Sequence, residues 1–158
     1  MGQSPDSSTY NESKDGLPFY QGKVDFGSMY PTPRKWCSEP KKVAFKEEVL
    51  ISVRAPIGPT NITNEECCIG RGLSAIRCIC NLNNLYLIYS IRAFEKNIAA
   101  KWVGSTFTAI NSRDLNNFMI PIPPLEEQKR IVEKVNLSLS TILLSPLLKY
   151  IYSFLQFS

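Results

Sequence analysis

A chain of 158 residues with 44% hydrophobic side chains has material for one packed domain plus an appendage, which excludes a disordered chain. Lysines and arginines number 18 against 14 acids, a net charge of +4, and there is no histidine. The charge pulls mildly towards an anionic partner, and the missing histidine removes the commonest general base.

In chain order, residues from Met1 to about Gly16 are polar (Ser7, Ser8, Asn11) and predict an irregular lead-in segment. Phe19 to Phe26 and Val43 to Phe45 carry the short apolar runs of strands. Val49, Ile51 and Val53 alternate with Leu50, Ser52 and Arg54, which predicts a strand with one well-buried face, closed by a turn over Ala55-Pro56-Ile57-Gly58-Pro59. Leu73 to Cys80 is the next strand. Asn83 or Asn84 can cap a helix whose apolar face is Leu87, Ile88, Ile91, Phe94 and Ile98, and Gly104 closes that region. Asn117 to Ile122 reads as a last strand. Short strands first and few helices predict a single mixed α+β domain over residues 1–122.

The segment Ile120-Pro121-Ile122-Pro123-Pro124-Leu125-Glu126-Glu127-Gln128 then turns from extended chain to helix. Pro121 and Pro123 keep the residues before them extended. Pro124 suits the first helical position, and Glu126 and Glu127 suit the positive end of the helix dipole. Leu125, Val132, Val135, Leu139 and Ile142 follow on a three–four spacing, with Gln128 in one seam position. Residues 123–158 are therefore expected to be a coiled-coil-like pairing helix with an apolar tail. That tail, from Ile142 to Phe157, is interrupted by Pro146 and Lys149 and falls short of the roughly 20 apolar residues of a membrane span, so a bilayer anchor is not expected.

Five cysteines, Cys37, Cys67, Cys68, Cys78 and Cys80, with no signal peptide point to reduced thiols in a cytoplasm. The spacing of Cys78 and Cys80 is too tight for the usual zinc pair; on a strand both would point to one face and pack, so no metal site is expected. Ser38-Glu39-Pro40-Lys41 has the Ser-x-x-Lys pattern of penicillin-recognising enzymes, but its companion motifs are missing and Pro40 disfavours the helix it needs. The pairs Glu47-Glu48, Glu65-Glu66 and Glu126-Glu127 are adjacent and diverge. No phosphate-cradling or dinucleotide motif is present. No catalytic residue is assigned.

Three constellations suit binding. Arg71 lies between Gly70 and Gly72, which either let backbone approach a ligand or shape a bend between strands. Lys101-Trp102-Val103-Gly104-Ser105-Thr106-Phe107 offers a cation and two hydroxyls to phosphate oxygens, with Trp102 and Phe107 expected in the core. The region from Tyr20 to Lys42 interleaves Tyr20, Gln21, Lys23, Arg34 and Lys35, and Gln and Arg can pair with adenine and guanine edges. Arg54, at the end of its strand, joins the candidates. From Arg71 to Arg113 the basic residues Arg71, Arg77, Arg92, Lys96, Lys101 and Arg113 face only Glu95, a stretch that could present a positive face.

The order of short blocks is informative as a whole. Gly2-Gln3-Ser4-Pro5, Leu17-Pro18-Phe19-Tyr20-Gln21-Gly22, Val49 to Gly58, Ile69-Gly70-Arg71-Gly72-Leu73, Gly104 to Ile110 and the proline junction resemble one target recognition domain, with part of its spacer helix, from the specificity (S) subunit of type I restriction-modification enzymes. The resemblance implies a non-catalytic, sequence-specific binder of double-stranded DNA. It would direct a methyltransferase (M) subunit, which uses S-adenosylmethionine, and a restriction (R) subunit, which cleaves with ATP and Mg. No cofactor is implied in this chain. In the family the Gly-Arg-Gly block recurs across domains of differing specificity, which favours scaffold or phosphate contact over base reading. Full-length members have two such domains and two helices, so self-association or pairing with a second half-subunit through the helix is expected. The alternative is a truncated module that pairs with other subunits through its helix without touching DNA. The apolar tail departs from the family's charge-rich spacer helix.

Overall fold

The computed structural model describes the backbone of residues 1–103 and 109–155 and the side chains of residues 1–94 and 109–141. Its strands are β1 (Tyr10–Asn11), β2 (Leu17–Tyr20), β3 (Trp36–Cys37), β4 (Val43–Ala44), β5 (Val49–Ser52), β6 (Thr60–Ile62), β7 (Cys67–Ile69) and β8 (Leu73–Ile76). Its helices are α1 (Asn84–Val103), α2 (Ser112–Asn116) and α3 (Leu125–Leu155). The chain is α+β, as its pattern of short strands predicts, and divides into two compact units, Met1–Pro121 and Ile122–Ser158.

In the first unit, β1, β3, β2, β7 and β4 form one sheet in that order, and β6, β5 and β8 form a second. β5 is the centre of the packing. Val49, Ile51 and the following Val53 cluster with Leu87, Ile88 and Ile91 of α1, while Leu50 clusters with Tyr20, Cys67 and Ile69 of the larger sheet. The strand expected to bury one face is buried on both, because successive side chains point oppositely and each side is covered by another layer. Ser52, the polar member, is accommodated by donating its hydroxyl to the Arg54 carbonyl at 3.0 Å.

The strands expected from the sequence do not include β6 and β7, and β6 with the residue after it carries the polar Thr60, Asn61 and Thr63. All three are buried. The Asn61 amide exchanges two hydrogen bonds with the backbone of Gly27, each of 3.0 Å, and the Thr63 hydroxyl donates to the Phe45 carbonyl. Such pairing is what lets polar groups leave water without a large penalty.

Other expectations need correction. The strand from Phe19 stops at Tyr20, where Gly22 opens a 3-10 turn over Lys23–Asp25. The lead-in segment contains a 3-10 turn, Ser7–Thr9, capped by Asp6, and the short β1. β8 ends at Ile76, so Cys78 and Cys80 do not share a strand face; Cys78 is half-buried, whereas Cys80 is exposed with φ +51°. Asn117 to Ile122 forms no strand. Instead Asn111 and Asp114 build a capping box that starts α2. The chain beyond α2 carries prolines that cannot donate to a ladder, and the Pro121 carbonyl accepts the Tyr86 hydroxyl at 2.7 Å. α1 begins as expected, with the Asn83 side chain accepting from the Tyr86 N–H at 3.0 Å; Phe94 is 37% exposed and meets Phe118 edge to face. Ile98 lies outside the described side chains.

In the second unit Pro124 stands just before α3 rather than in it. Its carbonyl accepts from the N–H groups of Glu127 and Gln128 at 2.9 and 3.1 Å, the bonds that open a helix. The Gln128 amide donates to the Pro123 carbonyl at 2.8 Å. Lys129 and Arg130 pair with Glu126 and Glu127 one turn back, exposed pairs of small individual weight. Of the expected seam, Leu125 and Val135 are partly exposed and Leu139 is 45% exposed, while Val132 is buried. Ile142 lies outside the described side chains. Among the described residues no helix is long and apolar enough to cross a membrane.

Candidate nucleic-acid interface

Three strand ends meet at one corner of the first unit. β2 and β7 pair in parallel, with Phe19 opposite Cys68 and Tyr20 opposite Ile69, so both strands leave the sheet at the same end. Gln21 therefore emerges beside the Gly70-Arg71-Gly72 turn, and the Gly70 N–H donates to the Tyr20 carbonyl at 2.8 Å. From the second sheet β5 runs antiparallel to β8, Ser52 opposite Leu73. The Val53 N–H reaches the Gly72 carbonyl at 2.9 Å, which delivers Arg54 to the same corner.

Gly72 is the point of closest approach. A side-chain carbon there would strike the carbonyl of Gln21. Of the two roles open to these glycines, Gly72 serves contact between segments of this chain. Ser4 completes the corner by accepting from the Arg71 N–H at 3.2 Å.

The result is an open groove of about 570 Å³, lined by Gln21, Lys23, Arg54, Arg71, Ser4 and Ser52, among others. A second groove of about 320 Å³ shares Gln21 and Val24 with it and continues past Asp25, Arg34 and Lys35. Gln21, Lys23, Lys35, Arg54 and Arg71 are all exposed. The ion pairs among the described residues involve none of these four cations. Lys23, Arg54 and Arg71, gathered in a groove that no acidic residue lines, favour an anion with several charges over a single carboxylate, while Lys35 shares its groove with Glu12 and Asp25.

Arg34 is the exception. Its guanidinium donates through Nε (3.2 Å) and Nη2 (2.8 Å) to Oδ1 of Asp25. Asp25 is 7% exposed, and its Oδ2 accepts from the N–H groups of Gln21 (2.7 Å) and Gly22 (3.3 Å). One buried carboxylate thus fixes the turn that carries Gln21 and Lys23 and also holds Arg34. Sequence reasoning missed Asp25, although an acid three residues after Gly22 is the signature of a turn closed in this way. It missed Ser4 and Ser52 as well, which no local pattern marks.

Tyr20, a candidate contact, belongs to the core instead. It is 1% exposed, and burial pushes its hydroxyl's pKa up. Alternation along β2 sends it inward between the two sheets. The basic stretch from Arg71 to Arg113 is not one face either. Arg77 pairs with the buried Glu48 at 2.6 Å, and Arg92 bonds Thr60 and the Ser28 carbonyl, tying α1 to β6. Arg71 joins the groove and Arg113 is exposed on α2. Lys96, Lys101, Ser105 and Thr106 lie outside the described side chains. The positive surface is assembled from residues 21–35, 54 and 71, which are separated in sequence and joined by the strand ends.

Comparison with known proteins gives a consistent result. The profile of the type I restriction modification DNA specificity domain matches residues 5–142. A Methanocaldococcus jannaschii chain assigned as the specificity subunit of the type I restriction enzyme MjaX is 44% identical over 136 residues, 85% of this chain and 32% of that one. A chain solved in a study of complex assembly and conformational transition of the type I R-M system superposes with a TM-score of 0.84 at 52% identity, covering 90% of this chain and 35% of that one. The HsdS subunit of Thermoanaerobacter tengcongensis gives 0.81 at 51%, covering 90% and 34%. The chain spans about a third of the length of these relatives.

Proposed function

This chain belongs to the type I restriction-modification DNA specificity family, and from that premise we propose that residues 1–122 are a target recognition domain binding duplex DNA across the groove of Gln21, Lys23, Arg54 and Arg71. The chain is a specificity domain and not an enzyme. The observation that carries the reading is the convergence of exposed cations and one exposed amide at three strand ends. Cations that form no ion pair suit phosphates, which position a protein on DNA, and the amide of Gln21 offers the donor and acceptor that an adenine edge requires.

In this reading α3 joins the domain to a methyltransferase subunit, which supplies S-adenosylmethionine, and to a restriction subunit working with ATP and Mg, all in the cytoplasm. Lys101, Ser105 and Thr106 add further phosphate contacts. Leu125, Val135 and Leu139, which keep exposed surface, form with Ile142 the partner-binding side of the helix, whereas Val132 is already buried within this chain.

Binding of a labelled mixed-sequence duplex to the full chain, followed by fluorescence anisotropy at stepped salt, tests the proposal. Affinity should fall steeply with salt, and Lys23→Ala or Arg71→Ala should each lower the magnitude of the log–log slope by roughly 0.9. Binding that is absent, or flat with salt, would count against DNA as the ligand.

A further inference from the structure

We infer that Arg34 reads a guanine in the recognised site and that Asp25 is its positioning residue, an assignment that rests on the DNA reading above. Of the five exposed cations beside Gln21, Lys23, Lys35, Arg54 and Arg71 have no ion-pair partner among the described residues, and Arg34 alone is tethered. Both oxygens of the buried Asp25 carboxylate are engaged, Oδ2 by the backbone of Gln21 and Gly22 and Oδ1 by Arg34. The anchor therefore cannot swing with the arginine.

The backbone around Arg34 is held as well. The Thr32 N–H donates to the Asp25 carbonyl at 2.9 Å, and the Lys35 carbonyl accepts from the Phe19 N–H of β2 at 2.8 Å. Anchors on both sides of Arg34 place its Cα relative to the sheet. With Nε and one N–H of Nη2 committed to Asp25, three of the five guanidinium donors remain, and the Nη1–Nη2 edge keeps two parallel N–H groups. The side chain is still 56% exposed. Two parallel donors in a fixed plane match the O6 and N7 acceptors that guanine presents in the major groove.

A phosphate contact gains little from such fixing, because phosphates can be approached from many directions. The pair Arg34–Asp25 is also close to neutral, so it contributes little to the general attraction that Lys23 and Arg71 supply. Geometry and charge both assign Arg34 to discrimination and the untethered cations to positioning. A side chain already ordered before binding loses less entropy on contact, which favours the correct base pair.

The test is selection by the full chain from a pool of randomised duplexes, followed by affinity and salt titration on the selected duplex and on its single-base variants. The unmodified chain should enrich guanine at a defined position. Arg34→Lys, which keeps the charge and loses the fork, should reduce the preference at that one base pair roughly tenfold to a hundredfold while leaving the other positions. Its salt slope should change less than that of Lys23→Ala. Asp25→Asn should weaken preference at the same base pair, and the double variant should be no worse there than Arg34→Lys alone, a non-additivity that a general loss of structure would not give. Thermal melting identifies an Asp25→Asn chain that does not fold, in which case Arg34→Lys decides alone. An unchanged guanine preference in Arg34→Lys, or an equal loss of affinity across all sequences, overturns the assignment to Arg34. A chain that holds no duplex at low salt removes the DNA reading itself and this inference with it.

Discussion

Tyr20 and the cysteines mark how far burial, rather than residue type, sets chemistry here. The Tyr20 hydroxyl is buried without a hydrogen-bond partner among the described residues. Removing an unsatisfied polar group costs nothing in bonding, so Tyr20→Phe should leave stability unchanged or raise it by up to about 1–3 kcal/mol in urea unfolding, with duplex affinity unaltered. A loss of DNA binding in that variant would return Tyr20 to the interface. Burial, reinforced by neighbouring thiols, pushes Cys67 and Cys68 up to about 12 from an ordinary 9.0. In the unfolded chain these thiols ionise near 9, so above that pH the unfolded state sheds protons that the folded state keeps. Their contribution is fully present below pH 9 and is lost as the pH rises from there towards 12. Cys67→Ala should flatten the alkaline fall of the urea midpoint relative to the unmodified chain. A thiol reagent at neutral pH should label the exposed Cys80 first and reach Cys37, Cys67 and Cys68 only on unfolding.

Among the elements, the three strand ends depend on a single missing side chain. Gly72 allows the β7–β8 turn to lie against the Gln21 carbonyl, and a Cβ at that position meets backbone, which cannot rotate away. Gly72→Ala should therefore separate β2 from β8 at the groove. We expect a loss of about 1–3 kcal/mol in urea unfolding together with weaker duplex binding, because Gln21, Arg54 and Arg71 would no longer share one surface. A variant with unchanged stability and unchanged affinity would show that the corner does not depend on this contact.

For the molecule as a whole, the question is what covers the apolar side of α3. Val135 and Leu139 keep exposed surface, and burying one such side chain contributes about 1.5–3 kcal/mol. If the helix pairs with a second copy, two-fold symmetry imposes two matching half-sites on the DNA, an interrupted palindrome. Val135→Asp with Leu139→Asp should give a folded monomer by sedimentation and abolish site-specific methylation when the methyltransferase subunit is supplied. A monomeric unmodified chain, together with full methylation by the doubly substituted form, would remove helix pairing from the account.

The sequence by itself determined what local physics controls. The apolar alternation of Val49 to Val53 announced the central strand, Asn83 announced the start of α1, and the prolines before Leu125 announced the turn from extended chain to helix. The Asn111 and Asp114 cap that starts α2 is a local feature too, and the reading of Asn117 to Ile122 as a strand passes over it. The tertiary structure alone decided which faces are buried and which distant residues meet. β5 is covered on both sides because a second sheet lies where water was expected, and Tyr20 turns inward for the same reason. Gln21, Arg54 and Arg71 become neighbours through a parallel pairing between β2 and β7 and an antiparallel one between β5 and β8. Strand pairing of that kind is set by backbone hydrogen bonds between segments far apart in the chain, and local propensity carries no record of which strands will pair.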